Sequence, residues 1–163
     1  MLNIVLLEPE MPANTGNIGR TCVATGSVLH LIEPMGFRLN EKMIKRAGLD
    51  YWDKLDVRTY INYEDFLEKN PGAKIYMATT KSKQTYTDVQ YEDGCYIMFG
   101  KESAGIPEEI LLDNKETCIR IPMLSDIRSL NLSNSVAIVT YEALRQLNFN
   151  HMQLEGQLHH YEW

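Results

Sequence analysis

The chain has 163 residues, of which 44% are hydrophobic and 23% are charged, and its formal net charge at pH 7 is −6. This length and this balance predict one folded domain and exclude a disordered or fibrous chain. The three cysteines form no CxxC pair and the four histidines have no metal-ligand spacing, so neither a disulfide framework nor a metal site is expected. Without an apolar run of about 18 residues or a signal-peptide pattern, the chain is expected to be soluble and cytoplasmic, with no membrane contact.

Short apolar runs alternate with helical patterns, which predicts an α/β fold with a mostly parallel sheet flanked by helices. The first half of the chain is predicted to form three strands and three helices, at residues 3–7, 14–25, 28–32, 40–48, 57–60 and 63–69. Asn14 or Thr15 is expected to cap the first helix, and Gly26 is expected to end it. Asn40 is expected to cap the second helix, which is basic.

The second half continues the alternation and ends in a long helix. Three strands and two helices are predicted, with strands at residues 74–79, 96–99 and 117–121, a helix that begins at Pro107, and a helix at residues 132–147. No internal repeat, low-complexity segment or interdomain linker interrupts this pattern. The chain is therefore predicted to form a single domain at residues 1–149, followed by a polar tail at residues 150–163.

Three loops that follow predicted strands are rich in glycine, asparagine and serine, namely residues 12–20, 99–107 and 121–131. The nucleotide signatures GxGxxG and GxxxxGK[ST] and the GxSxG nucleophile elbow are missing. Glycines allow a ligand to approach the backbone, and free amide groups at a helix start can hold an anion or a ribose oxygen. Taken alone, each loop is explained at least as well by a helix cap or an ordinary strand-to-helix turn.

The acidic charge is concentrated in residues 85–118, which hold eight Asp and Glu side chains against Lys101 and Lys115. The remainder of the chain is therefore balanced, and basic clusters remain at residues 38–46 and at residues 81–83. Each cluster taken alone is explained by solvated surface. In a nucleic-acid-binding protein, the same clusters would contact phosphates.

In chain order the three loops read PxNTGNIGR, FGxExxGxP and IPMxxxxRSLNLSNSVAIVxYEALRQ. Together they resemble the three motifs of the SPOUT (α/β-knot) RNA methyltransferases. They are most similar to the small, single-domain bacterial branch that methylates the wobble ribose, the tRNA (cytidine/uridine-2′-O)-methyltransferases. The likeness extends from Asn3 to about Phe149 without large insertions.

The resemblance implies an SPOUT fold with a C-terminal trefoil knot, and S-adenosylmethionine as methyl donor with S-adenosylhomocysteine as product. The implied substrate is cytidine 34 or uridine 34 of tRNA, with tRNA-Leu isoacceptors as the expected molecules. The family works as a homodimer in which the first and last helices form the interface and each active site is completed by the partner.

The resemblance also implies roles for individual residues. Six positions match the cofactor pocket: Ala78, Thr79, Gly100, Ile121, Ser129 and Leu130. Four positions match the catalytic side: Arg20, Asn14, Glu102 and Asn131. Three basic residues are candidates for RNA phosphate contacts: Lys81, Lys83 and Arg128.

Arg20 matches the arginine that the family places near the target 2′-hydroxyl, with Asn14 close by. A guanidinium with a pKa above about 12 is a poor proton acceptor, so we expect Arg20 to stabilise the developing alkoxide. Glu102 and Asn131 match polar positions on the substrate side, and we expect them to position other groups.

The sequence departs from the family wording at five positions: Leu7, Gly19, Lys101, Ser103 and Ala104. Gly19 stands where a bulkier apolar residue is common, and Leu7 stands where an aromatic residue often occurs. These departures leave the substrate detail open. One alternative is 2′-O-methylation of another tRNA or rRNA nucleotide, and an alternative of another class is a non-catalytic RNA-binding knotted dimer.

Overall fold

The structure is a computed structural model that describes residues 1–39 and 51–163. The predicted basic helix at residues 40–48, and with it most of the basic cluster at residues 38–46, lies outside the described residues. In the described part, strands and helices alternate along the chain as the sequence predicts.

Within the described residues, six parallel strands form one sheet. They are β1 (Asn3–Leu7), β2 (Val28–Ile32), β3 (Val57–Tyr60), β4 (Ile75–Ala78), β5 (Tyr96–Phe99) and β6 (Cys118–Ile119). Their order is β3-β2-β1-β5-β4-β6. Leu6 of β1 lies opposite Leu31 of β2 on one side and Phe99 of β5 on the other. The strand order therefore reverses between β1 and β5.

Four α-helices of the described residues cover the sheet: α1 (Pro12–Thr25), α2 (Tyr63–Lys69), α3 (Glu108–Asp113) and α4 (Leu132–Gln146). Short 3₁₀ helices occur at Trp52–Lys54 and Lys115–Thr117. In residues 1–39 and 51–163, no helix is long and apolar enough to cross a membrane.

Successive side chains of β1 point to opposite faces of the sheet and enter different hydrophobic clusters. Ile4 belongs to a buried cluster that includes residues of α1 and Val136 of α4. Val5 belongs to a second cluster that includes Phe66 of α2 and Leu111 of α3. The molecule thus has three layers, with α1 and α4 on one face of the sheet and α2 and α3 on the other. The predicted α/β class with a parallel sheet is confirmed.

The predicted start of the first helix is wrong by three to four residues. α1 begins at Pro12, and its N-cap residue Met11 makes no side-chain cap hydrogen bond. Proline favours the first helical position because its ring fixes φ and its missing N–H is not needed there. Asn14 and Thr15, which were predicted as caps, therefore lie inside the helix.

Two further element boundaries differ from the prediction, at the start of α3 and at the ends of β6. Pro107 is the N-cap residue of α3 rather than its first helical residue. β6 is only Cys118–Ile119, shorter than the predicted 117–121, because the chain beyond it pairs elsewhere. Arg120 forms a parallel bridge with Thr85 of the loop that follows β4.

A buried histidine on β2 connects neighbouring strands. His30 is fully buried, its Nε2 lies 3.1 Å from Oδ1 of Asn3, and its Nδ1 lies 2.8 Å from the hydroxyl of Tyr60. Because Oδ1 of Asn3 can only accept, Nε2 carries the proton and Nδ1 accepts from Tyr60. A second proton on Nδ1 would leave the Tyr60 hydroxyl without its acceptor. Burial, and then the charge of Arg58, lower the pKa of His30 to about 4.

We predict that a fall in pH from about 7 to about 5 lowers the free energy of unfolding by about 2 kcal/mol through His30 alone. The unfolded histidine, with its ordinary pKa of 6.5, binds a proton in this range, whereas the folded one, with a pKa of about 4, does not. The stabilisation is complete above the unfolded pKa and is lost as the pH falls towards the folded pKa. Urea denaturation of the wild type and of His30→Gln at both pH values measures the difference.

His159→Gln, in the exposed C-terminal segment, is the matched control and should keep the wild-type pH dependence. If His30→Gln and the wild type lose the same stability over this range, the assignment of the effect to His30 is wrong.

Candidate functional site

Four loops meet at the carboxyl edge of the sheet. β1, β5, β4 and β6 are neighbours and run parallel, so the chain leaves each of them on the same side of the molecule. In open parallel sheets, ligands bind at this edge beside the point where the strand order reverses. The three loops singled out from the sequence are therefore brought together at one place.

These loops enclose a cavity of about 630 Å³, within the range of about 300–1,000 Å³ that is typical of small-molecule sites. Its lining includes the six predicted cofactor positions: Ala78, Thr79, Gly100, Ile121, Ser129 and Leu130. It also includes three of the four predicted catalytic positions: Asn14, Glu102 and Asn131. The structure thus brings nine of these ten positions to one cavity.

The carboxylate of Glu102 joins the three loops. Its Oε2 accepts from the backbone N–H of Glu10 at 2.8 Å, and its Oε1 accepts from the N–H of Met11 at 3.2 Å. Oε1 also accepts from Nδ2 of Asn14 at 3.1 Å, and Oδ1 of Asn14 accepts from Nδ2 of Asn131 at 3.0 Å. Asn131 in turn caps α4 with its own Oδ1. Since both oxygens of Glu102 hold protein groups, the geometry fits a positioning role rather than proton transfer.

A second set of contacts also connects the loop after β1 with the loop after β5, and here the carboxylates belong to the loop after β1. The carboxylate of Glu10 accepts from the backbone N–H and the hydroxyl of Ser103, both at 2.8 Å. These two hydrogen bonds lower the pKa of Glu10. Nζ of Lys101 lies 2.8 Å from Oε2 of Glu8, and this hydrogen bond raises the pKa of Lys101. Two residues that depart from the family wording, Lys101 and Ser103, therefore hold the loop after β5 against the loop after β1.

The turn after β5 closes tightly on itself. The N–H of Gly105 donates to the carbonyl of Lys101 at 2.8 Å. A Cβ added to Gly100 would lie 2.0 Å from the carbonyl carbon of Gly105. Because that atom is backbone, no change of rotamer could relieve the contact. Glycine is required at position 100 by the approach of the protein's own backbone.

The loop before α4 offers peptide groups to the cavity. Ile121, Ser129 and Leu130 line it, and between described residues no hydrogen bond uses their backbone N–H or C=O groups. Ile119 and Val139 are buried and form apolar parts of the same wall. An apolar slot beside available backbone donors and acceptors can hold a planar heteroaromatic ring and read its edge.

Arg20 lies on α1 but does not line the cavity. It follows Asn14 by six residues, which places it about 9 Å further along the helix and roughly 120° away around the helix axis. Its side chain is exposed, and its Cζ lies 4.7 Å from the centroid of the Tyr51 ring. Within one chain, the predicted catalytic arginine and the predicted cofactor pocket are therefore not brought together.

The predicted RNA-contacting residues are exposed around the rim. Lys81 and Arg128 line the cavity. Lys83 lies instead in an adjoining groove of about 660 Å³, which Lys81 and Lys115 also line. Nζ of Lys81 lies 3.0 Å from Oε1 of Glu108, so its charge is partly offset.

Tyr86 and Ser135 also line the cavity, although neither was among the predicted site residues. Tyr86 is an aromatic residue in the otherwise polar loop after β4, and that contrast was an available signal. Ser135 lies four residues after Asn131, and this helical spacing puts both on one face of α4. Among residues 1–39 and 51–163, no group of three or more His, Cys, Asp or Glu side chains could hold a metal ion.

Comparisons with known proteins identify relatives over nearly the whole chain. Residues 1–141 match the model of the SpoU rRNA Methylase family. The chain is 51% identical over 150 residues to the tRNA (cytidine(34)-2'-O)-methyltransferase of Escherichia coli (strain K12), which covers 91% of this chain and 96% of that protein.

Two solved structures extend the likeness to three dimensions. One, described as giving structural insights into the 2-OH methylation of C/U34 on tRNA, has a TM-score of 0.85 at 43% identity and covers 91% of this chain and 97% of its own. The AdoMet-bound rRNA methyltransferase from Sinorhizobium meliloti has a TM-score of 0.78 at 25% identity and covers 90% of this chain and 56% of its own.

We predict that Glu102→Gln lowers the free energy of unfolding by about 1–3 kcal/mol. One polar atom of the new side chain is an NH₂ group, which would face the backbone N–H groups that the carboxylate now accepts from. Urea denaturation measures the change. Glu155→Gln, in the exposed C-terminal segment, is the matched control and should stay within about 0.5 kcal/mol of the wild type. Wild-type stability of Glu102→Gln would show that this carboxylate does not hold the loops.

Proposed function

This chain belongs to the SpoU rRNA methylase family, and from that premise we propose that it methylates the ribose 2′-hydroxyl of the wobble nucleotide in tRNA. The target is a cytidine or uridine-type nucleotide at position 34, tRNA-Leu isoacceptors are the substrates, and S-adenosylmethionine is the methyl donor. The observation that carries the proposal is the convergence of the three motif loops on one cavity. The named activities of the relatives at 51% and 43% identity support it.

The residues around the cavity fit S-adenosylmethionine. The apolar wall of Ile119 and Val139 and the available peptide groups of Ser129 and Leu130 suit an adenine ring. The donor supplies a methyl group that is already activated on a sulfonium. The protein therefore has to bind the donor, orient the ribose oxygen in line with the methyl group, and stabilise the charge that develops on that oxygen.

Arg20 is the residue that we assign to this charge. Because it lies on a different face of α1 from Asn14, it acts in the site of a second copy of the chain rather than in its own. In a two-fold dimer each copy gives its Arg20 to the partner and receives the partner's arginine in return.

Exposed stripes on two neighbouring helices support a homodimer. α1 and α4 pack against each other, and α1 exposes Ala13, Asn17, Arg20 and Ala24 at helical spacing. On α4, Ile138 and Tyr141 remain exposed. The apolar stripe that includes Val136, Val139 and Ala143 belongs to the core and is not available for the interface.

The trefoil knot is part of the same proposal. β6 pairs with β4 on one side. Directly after β6, the backbone N–H of Arg120 donates to the carbonyl of Gln84 at 3.0 Å, and the backbone carbonyl of Arg120 accepts from the N–H of Tyr86 at 2.9 Å. The loop that leaves β4 therefore crosses from one side of this segment to the other. A chain threaded through that loop needs such a crossing.

The assay that tests the function uses labelled S-adenosylmethionine and tRNA transcripts that differ only at the wobble nucleotide. We expect label on the position 34 ribose alone, located by nucleoside mapping, in keeping with a cytoplasmic tRNA-modifying enzyme. Label on another tRNA nucleotide or on rRNA would favour the alternative substrate. Absence of S-adenosylmethionine binding in calorimetry would favour a non-catalytic RNA-binding dimer.

We predict that Arg20→Ala lowers the turnover number by about 100-fold or more, because a preorganised charge that faces the developing alkoxide is lost. The affinity for S-adenosylmethionine should change less than about twofold, since Arg20 does not line the cofactor cavity. Single-turnover kinetics and calorimetry measure the two quantities. Arg58→Ala, at an exposed position on β3, is the control and should keep both. A parallel loss of turnover and cofactor affinity would contradict the assigned role.

We predict that tRNA binding weakens steeply between about 50 and about 200 mM salt, because lysine and arginine contacts release counterions from phosphates. Lys83→Gln should reduce the slope of log K against log salt by about 1. Lys74→Gln is the control, because Lys74 directly precedes β4, at the amino ends of the strands, and pairs with Glu92. This variant should keep the wild-type slope. Filter binding over a salt series gives the slopes, and a flat dependence for the wild type would rule out phosphate contacts.

A further inference from the structure

The segment that begins at residue 51 places an aromatic ring against α1. Tyr51 is only 8% exposed, and its ring centroid lies 4.7 Å from Cζ of Arg20. Its hydroxyl donates a hydrogen bond to the backbone carbonyl of Gly16. Neither the sequence motifs nor the cofactor cavity includes this tyrosine.

Both contacts act on the same turn of α1. In an α-helix the carbonyl of Gly16 accepts from the N–H of Arg20, four residues further on. A carbonyl oxygen has two lone pairs, so it can also accept from the hydroxyl of Tyr51. Tyr51 is therefore connected to Arg20 twice, through the backbone turn that carries the residue and through the guanidinium itself.

The glycine at position 19 permits this close packing. A Cβ added to Gly19 would lie 3.0 Å from Cδ2 of Leu55, 3.2 Å from Cζ3 of Trp52 and 3.5 Å from Cε2 of Tyr51. A larger side chain would extend into the space that these residues occupy. Gly19 departs from the family wording, and in this chain the rings of Tyr51 and Trp52 pack directly against the helix at this position.

We propose that Tyr51 is a positioning residue for Arg20 in the methyl transfer. The ring face restricts the orientation of the guanidinium. The hydroxyl fixes the ring to the helix turn, so that side chain and backbone move as one unit. The inference rests on the proposed function, because it requires Arg20 to act on the 2′-hydroxyl.

The test compares the turnover number of Tyr51→Leu with that of Arg20→Ala and of the double variant, with tRNA and S-adenosylmethionine as substrates. We expect Tyr51→Leu to lose about 5- to 30-fold in turnover, the rate equivalent of a partly desolvated cation–π contact. Its KM for S-adenosylmethionine should stay within about twofold. In the Arg20→Ala background, Tyr51→Leu should have no further effect, because the group that it positions is gone.

A fluorinated series separates positioning from a general packing role. Phenylalanine at position 51 keeps the ring face, and added ring fluorines weaken the attraction for a cation while changing the shape little. Turnover should be kept best by Tyr51→Phe and should fall with each added fluorine, whereas the melting temperature should stay nearly constant across the series.

Tyr76 is the matched control, because Nζ of Lys74 lies 5.6 Å from its ring centroid and its hydroxyl donates to the carbonyl of Gln90 at 2.5 Å. Tyr76→Leu should lose stability but keep turnover below its melting temperature.

The outcomes distinguish the inference from the function on which it rests. Wild-type turnover of Arg20→Ala would overturn the role of Arg20, before any Tyr51 variant is considered. If Arg20→Ala is impaired, three results would overturn the role of Tyr51 alone. The first is wild-type turnover of Tyr51→Leu. The second is a double variant in which Tyr51→Leu lowers turnover as much in the Arg20→Ala background as it does in the wild type. The third is turnover that stays the same across the fluorinated series.

Discussion

The arrangement of the site depends on one carboxylate. A parallel sheet brings the loops after β1, β5 and β6 to one edge, but the ladder hydrogen bonds end with the strands and leave the loops to find other partners. Glu102 supplies them. It accepts from the backbone before α1 and from Asn14, which continues through Asn131 to the start of α4. One charged group thereby sets the relative position of two helix starts and of the cavity wall between them.

Helix geometry places Asn14 and Arg20 on different faces of α1. Arg20 follows Asn14 by six positions, or about one and two-thirds turns, so the two side chains must face different directions. Asn14 lines the cavity and belongs to its hydrogen-bond network, and Arg20 belongs to the outer surface. A single chain therefore separates the group that orders the pocket from the group assigned to the reaction, and this separation is the reason for proposing that Arg20 acts in a second copy of the chain.

Much of the fold was predictable, because alternating apolar runs and helical periods depend on nearby residues. The start of α1 had a local signal in Pro12, which suits the first helical position. The contact that holds this start in place had none, since the carboxylate of Glu102 is 91 and 92 positions away from Met11 and Glu10 in the sequence. The pairs Lys101–Glu8 and Ser103–Glu10 are equally remote. The residues of the cavity were predicted from the resemblance to the family motifs, because the local spacing of these residues fits ordinary helix caps equally well. The 3.6-residue period does contain the direction of Arg20, since it separates that residue from Asn14 by roughly 120° around the helix axis.

Three of the five departures from the family wording lie where segments of the chain pack against each other. Lys101 and Ser103 form pairs with Glu8 and Glu10, and Gly19 leaves space for Trp52. The groups best placed to hold the cofactor are peptide N–H and C=O groups, which every residue except proline provides in the same form. Such a pocket tolerates exchanges around it, as long as the backbone keeps its path and position 100 stays glycine. Differences between this chain and its relatives are therefore expected in how Arg20 and the RNA are held, and not in the choice of methyl donor.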